Sequence, residues 1–265
     1  MYKRQIYNKM LHRFKVIDRL CGKRDIFVAL DLKTSCRVVL KQHKYLDNFQ
    51  KEVNSLQRLR NVVPDHINAH MVRHSESCPK TKTILFPYIR GRDMLDNLLW
   101  MQKYQKRGMN ETESRHWITK AHSCIAALQD QNLVHLDVKM ENFVITPKYG
   151  DCGENDDVTL IDAQTLSTAP KIEYSVLSEY YGTTLYQSPE ANLHRRYHKN
   201  TDLWGLGLCA FIICEGYHPF QRSDITYKNI QSFVHDNLCF MSNEYRDTVT
   251  SLLSNDPGKR ACGFL

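Results

Sequence analysis

The chain has 265 residues, 42% of them hydrophobic and 25% charged, with a formal net charge of +7. This is the composition of a folded, water-soluble domain, and it excludes a disordered, fibrous or membrane-embedded chain. Lys and Arg are dispersed apart from a basic run near the start (Lys3, Arg4, Lys9, Arg13, Lys15, Arg19), so the charge reads as a solvated face and no nucleic-acid partner is expected.

The nine cysteines are odd in number and form no C-x-x-C pair, which argues for reduced thiols rather than a disulfide framework. The basic N-terminus is not followed by an apolar run, so no secretory leader is read there. The longest apolar stretch, Leu203 to Cys214, is too short for a membrane span and reads as a buried helix, with Cys209 and Cys214 as core filler. A soluble intracellular protein of the cytoplasm or nucleus is expected, within a host cell if the source is viral.

Taken in order, "IFVAL" and "RVVLK" flank the turn-prone "DLKTSC" and predict a hairpin or meander between Phe14 and Lys41. In "YLDNFQKEVNSLQRLRN" the period becomes helical, with Leu46, Phe49, Val53, Leu56 and Leu59 on one face. "TKTILFPYI" returns to strand and stops at Pro87. Beyond Gly91 the signals are mainly helical, in "RDMLDNLLWMQKY" and "ETESRHWITKAHSCIAALQDQ". Further on, Phe143 to Ile145 and Val158 to Ile161 flank "TPKYGDCGENDD", a long hairpin loop whose acidic residues lack the spacing of a calcium-binding loop. The predicted class is α+β: a small β-rich N-lobe over about residues 10–87, a hinge over 86–91 and a mostly helical C-lobe over 92–265. Two such lobes are expected to leave a ligand cleft.

"LVHLDVKMENFVI", residues 133–145, sets His135, Asp137, Lys139 and Asn142 between apolar flanks. Burying unpaired charge is costly, so these groups are expected to face a pocket. Asp162 closes the next predicted strand, and the hairpin can bring it to Asp137 and Asn142. Asp and Asn oxygens are hard ligands that suit magnesium, which is completed by substrate phosphates. Lys41, at the end of an N-lobe strand, can grip phosphate, and Glu52 on the following helix can hold it. One carboxylate, Asp137, is left to orient a hydroxyl. Positioning and charge neutralisation of this kind are what phosphoryl transfer needs.

These motifs, in this order and over nearly the whole chain, resemble the eukaryotic-type protein kinases. "RVVLK" resembles the strand with the ATP-anchoring lysine, Lys41, and "FQKEVNSLQRL" the helix with its partner, Glu52. "HLDVKMEN" is similar to the catalytic loop H-R-D-x-K-x-x-N, which implies Asp137 as base, Lys139 as a γ-phosphate contact and Asn142 as a metal ligand. "LIDAQ" stands where the family has D-F-G, implying Asp162 as the main magnesium ligand. "YGTTLYQSPE" resembles the end of the activation segment, with Thr183 near the substrate hydroxyl. "TDLWGLGL" resembles the helix whose aspartate, Asp202, braces the catalytic loop, and Arg260 of "LLSNDPGKR" is implied to pair with Glu190. In "FPYIRG" the Pro87 carbonyl and the Ile89 N–H are implied to bind adenine. The resemblance implies a bilobal serine/threonine kinase that takes ATP, Mg2+ and a protein Ser or Thr hydroxyl, Lys139 favouring that hydroxyl type.

The pattern departs from the family in places. "LCGKRDIFVA" keeps one glycine, Gly22, where three are usual, which implies weaker nucleotide binding. Ala163 and Gln164 replace the Phe and Gly of D-F-G, and Leu136 replaces an arginine that in many relatives receives an activation-segment phosphate. His135 is read as a support for the loop, and Tyr174, Tyr180 and Tyr181 equally as packing residues or phosphosites. Asp93 and Asp96 are equally a helix start or a ribose or substrate contact. The chain stops five residues after Arg260, so a reduced C-lobe is expected. The alternatives are a pseudokinase scaffold, which the poor glycine loop and "DAQ" favour, and a small-molecule phosphotransferase, which "GTTLYQSPE" and "DLWGLG" disfavour.

Overall fold

A computed structural model describes residues 13–20, 25–62, 71, 74, 76–106, 108–147, 156–171, 173–177 and 182–263. The chain divides between Arg90 and Gly91 into two compact units, with Met71 belonging to the second. The expectations for Gly22, Tyr180 and Tyr181 lie outside the described residues.

The first unit is an antiparallel five-stranded sheet with one long helix. Strands β1 (Phe14–Arg19), β2 (Ile26–Asp31), β3 (Cys36–Gln42), β4 (Glu76–Cys78) and β5 (Thr83–Pro87) lie in the order β1-β2-β3-β5-β4. The β2–β3 hairpin pairs Ile26 with Lys41 and Asp31 with Cys36. Phe14, Ala29, Val38, Leu40 and Leu85 form a core on the sheet. Arg13 holds one end of the meander by a two-pronged bond to Asp31, at 3.1 and 2.8 Å.

Helix α1 (Leu46–Val62) buries Phe49, Val53, Leu56 and Leu59 at i, i+4, i+7, i+10 spacing. Leu46, expected on the same face, is 56% exposed. It opens the helix, and since helical side chains lean toward the N-terminus, it has no preceding turn to cover.

The second unit is mostly helical. After β6 (Arg92–Asp93) come α2 (Met94–Gln105) and α3 (Glu111–Gln129). Asp93 caps α2, its side chain accepting the Asp96 N–H at 2.8 Å, and Asn110 with Glu113 forms a capping box on α3. Strand β7 (Leu133–Val134) leads to a 3-10 turn (Met140–Asn142) and to the hairpin β8 (Phe143–Thr146) and β9 (Asp157–Leu160). The connecting loop lies outside the described residues over 148–155.

Short strands β10 (Ser167–Thr168), β11 (Ser175–Val176) and β12 (Arg196–Tyr197) follow, with α4 (Pro189–His194) between the last two. Then come α5 (Thr201–Glu215), α6 (Ile230–Asn237) and α7 (Asn243–Leu252). Helix α5 is buried from Thr201 to Ile213, polar first turn included, because α3 and α7 pack against it. Cys209 is fully buried and no disulfide joins the described cysteines. No helix among the described residues is long and apolar enough to cross a membrane.

Candidate active site

The site begins where β7 ends. Leu133 and Val134 are buried, and the chain then turns with Leu136 in the left-handed region, φ 64°. That conformation costs a leucine roughly 1–2 kcal/mol. It is held from α5, where the Asp202 carboxylate accepts the His135 N–H at 2.6 Å and the Leu136 N–H at 2.8 Å. Burial pushes the Asp202 carboxyl pKa up, and the two amide bonds oppose that shift. Gly205 lets α5 come close: a Cβ there would stand 2.5 Å from the Val138 carbonyl oxygen.

His135 is fully buried. Its Nδ1 accepts the Asp137 N–H at 3.3 Å and its Nε2 faces the Ile161 carbonyl at 3.3 Å. The ring therefore carries its proton on Nε2 and braces two backbone segments. Thr165 adds a further tie, its hydroxyl donating to the His135 carbonyl at 2.7 Å.

The loop so held presents a compact polar cluster. Asp137 Oδ1 accepts the Thr183 N–H at 2.9 Å and the Thr183 hydroxyl at 3.1 Å. Its Oδ2 lies 2.8 Å from Lys139 Nζ and 3.2 Å from Asn142 Nδ2. Lys139 Nζ also donates to Thr183 Oγ1 at 2.7 Å. Asn142 Nδ2 donates to the Asp137 carbonyl at 2.8 Å, which fixes the amide and leaves Oδ1 as the atom that could hold a metal.

The Asn142 carbonyl accepts the Ile161 N–H at 2.8 Å, and this bond sets Asp162 just beyond the Asn142 backbone. Asp162 was expected to close its strand, but β9 ends at Leu160. The reason is its backbone: φ of 66° is left-handed and incompatible with a strand. Asn142 Oδ1 and the Asp162 carboxylate are hard oxygen donors on neighbouring backbone segments, a set that fits magnesium completed by phosphate oxygens.

In the first unit, Lys41 is the penultimate residue of β3. Its Nζ lies 2.9 Å from each carboxylate oxygen of Glu52 on α1. Glu52 is fully buried, so an unpaired charge there would cost several kcal/mol, roughly, and Lys41 supplies the partner. His43 also reaches this carboxylate, with Nε2 2.8 Å from Oε2. Pro87 closes β5 opposite Val38 and is exposed, and Ile89 is half-buried two residues on.

A family model described as protein kinase domain matches residues 23–263. The chain belongs to the protein kinase family. It is 28% identical over 185 residues to a probable myosin light chain kinase of Dictyostelium discoideum, covering 67% of this chain and 35% of that protein. It is 23% identical over 239 residues to CBL-interacting protein kinase 8 of Oryza sativa subsp. japonica, covering 88% and 49%. With serine/threonine-protein kinase ATG1 of Chaetomium globosum it shares 25% identity over 283 residues, covering 90% and 29%. The kinase thus spans half or less of the length of these three relatives.

Away from the Asp137 cluster, the second unit is tied by a buried ion pair of its own. Arg260 grips Glu190 with two bonds of 2.7 Å, and the Thr201 hydroxyl donates to Glu190 Oε1 at 2.9 Å. Burial opposes ionisation of Glu190, but Arg260 holds its carboxyl below the usual range. Sequence reasoning missed the roles of His43, Thr165 and Thr201, because the atom each one meets is brought to it by tertiary packing. Ala163 is buried, and its carbonyl accepts the Leu166 N–H at 3.2 Å.

Proposed function

We propose that the chain is an active serine/threonine protein kinase that transfers the γ-phosphate of ATP to a protein hydroxyl. The observation that carries this reading is the Asp137 cluster, where one carboxylate meets Lys139, Asn142 and Thr183 within 3.2 Å. Asp137 orients the incoming Ser or Thr hydroxyl and accepts its proton as the new O–P bond forms and the bond from the γ-phosphorus to the β–γ bridging oxygen breaks, releasing ADP. Lys139, already on the Asp137 carboxylate, neutralises charge on the transferred group. Lys41, fixed by Glu52, holds the α and β phosphates, and the Pro87 carbonyl and Ile89 N–H receive the adenine. Asn142 Oδ1 and the Asp162 carboxylate hold Mg2+, which neutralises phosphate charge when bound. The single glycine of the nucleotide loop, Gly22, makes nucleotide binding weaker by about 1–2 kcal/mol, the scale of a few lost backbone bonds.

A pseudokinase scaffold is favoured by that glycine loop and by Gln164 in place of glycine. Against it stand five polar groups, Lys41, Glu52, Asp137, Asn142 and Asp162, which a scaffold has no physical reason to retain. Radiolabelled ATP, magnesium and a basic protein substrate separate the readings. Label on serine or threonine is the expected result; no label on any protein overturns it.

A further inference from the structure

We infer that His43 is a positioning residue for Lys41, acting through Glu52. The inference rests on the reading of Lys41 as the phosphate anchor. The buried Glu52 carboxylate has two oxygens to satisfy. Oε1 receives a well-formed bond from Lys41 Nζ at 2.9 Å. Oε2 is also 2.9 Å from Nζ, yet no correctly aligned donor reaches it, and the same holds for His43 Nε2. These two atoms, both shielded from water, lie 2.8 Å apart. At that distance only the direction of the N–H is off line, and rotation of the imidazole completes the bond, with the ring proton on Nε2.

The surroundings hold His43 for this task. Its backbone N–H donates to the Lys82 carbonyl at 2.8 Å, and its ring meets Phe49 edge to face at 6.1 Å between centroids. Phe49 opens the buried stripe of α1 that also carries Glu52. His43 lies two residues beyond Lys41, so a single stretch of chain supplies both donors to one carboxylate. His43 is therefore the donor placed to stop the carboxylate from swinging away from Lys41. A leucine at 43 would leave Oε2 buried and unsatisfied, and the carboxylate would turn to recover a partner.

The experiment compares His43→Leu, His43→Asn and His43→Gln in the full chain, alone and combined with Glu52→Gln. Two readouts are used: acylation of Lys41 by trace acetic anhydride, read by peptide mass spectrometry, and the KM for ATP against kcat. Leu and Asn, which cannot donate to Glu52 from that distance, are expected to change the Lys41 acylation rate and raise the KM for ATP by about tenfold, the scale of one hydrogen bond to a charged group. Gln, with a donor at longer reach, is expected to restore both. In the Glu52→Gln background the substitutions at 43 are expected to have no further effect. Unchanged acylation in His43→Leu overturns the inference, as does an Asn variant that behaves like Gln, or effects that persist without Glu52. If acylation follows the expected pattern while the parent chain transfers no phosphate, the positioning role stands and the kinase reading fails.

Discussion

Glu52 and Asp202 are both buried carboxylates at the heart of their units, yet they are neutralised in different ways. Glu52 is met by side chains, Lys41 and His43, which have their own rotamers and can move away. Asp202 is met by two consecutive backbone N–H groups, which cannot leave without unfolding the loop. The first arrangement suits a group that must adjust to a ligand. The second suits a loop whose shape must stay fixed, including a left-handed leucine that would otherwise relax.

The contrast can be broken by substitution, and the largest effect belongs to Asp202. Asp202→Ala strands one buried and one part-buried N–H donor, and a loss of about 2–4 kcal/mol in unfolding free energy is expected, at about 1–3 for the buried group and about 1 for the other. Chemical denaturation measures it, and a loss below 1 kcal/mol would mean that the loop holds itself. For Glu52→Gln the expected cost is smaller, about 1–2 kcal/mol, because the neutral amide can still accept from Lys41 and the ammonium keeps access to water. Its effect on the KM for ATP should exceed its effect on stability. Equal destabilisation by the two variants would erase the distinction between a side-chain clamp and a backbone-held loop.

The smallest effect is one of pH, at the edge of the first sheet. The Arg13 guanidinium holds the Asp31 carboxyl at about 2, well below its ordinary 3.8. A depressed carboxylate contributes stability that is complete above its unfolded pKa and is lost as pH falls through the folded value. Arg13→Ala should therefore lower the melting temperature near neutral pH, and the difference from the parent should shrink between about pH 4 and pH 2. A difference that stays constant across this window would remove the ion pair from the stability of the unit.

Much of this was legible in the sequence, and the reasons are local. The β2–β3 hairpin and the stripe of Phe49, Val53, Leu56 and Leu59 follow from periodicity, which depends only on neighbours in the chain. The contact between Lys41 and Glu52 was readable because a lysine at a strand end needs a fixed counter-charge. Leu46 was misplaced since a period says nothing about where the covering surface stops. The end of β9 was misplaced since an apolar run continues to Ile161, while the left-handed turn at Asp162 is imposed by its surroundings. His43 and Thr165 were invisible because their partners, a carboxylate oxygen and a backbone carbonyl, are set by tertiary packing.

The most direct test of the proposed chemistry uses Asp137→Asn beside the parent chain, with magnesium-dependent ATP binding and label transfer measured on the same preparations. The parent is expected to bind nucleotide and label serine or threonine. The variant should bind within about twofold of the parent and transfer at least about a hundredfold more slowly, the scale of a lost general base. Equal transfer by both proteins, or no magnesium-dependent binding by the parent, would contradict the account.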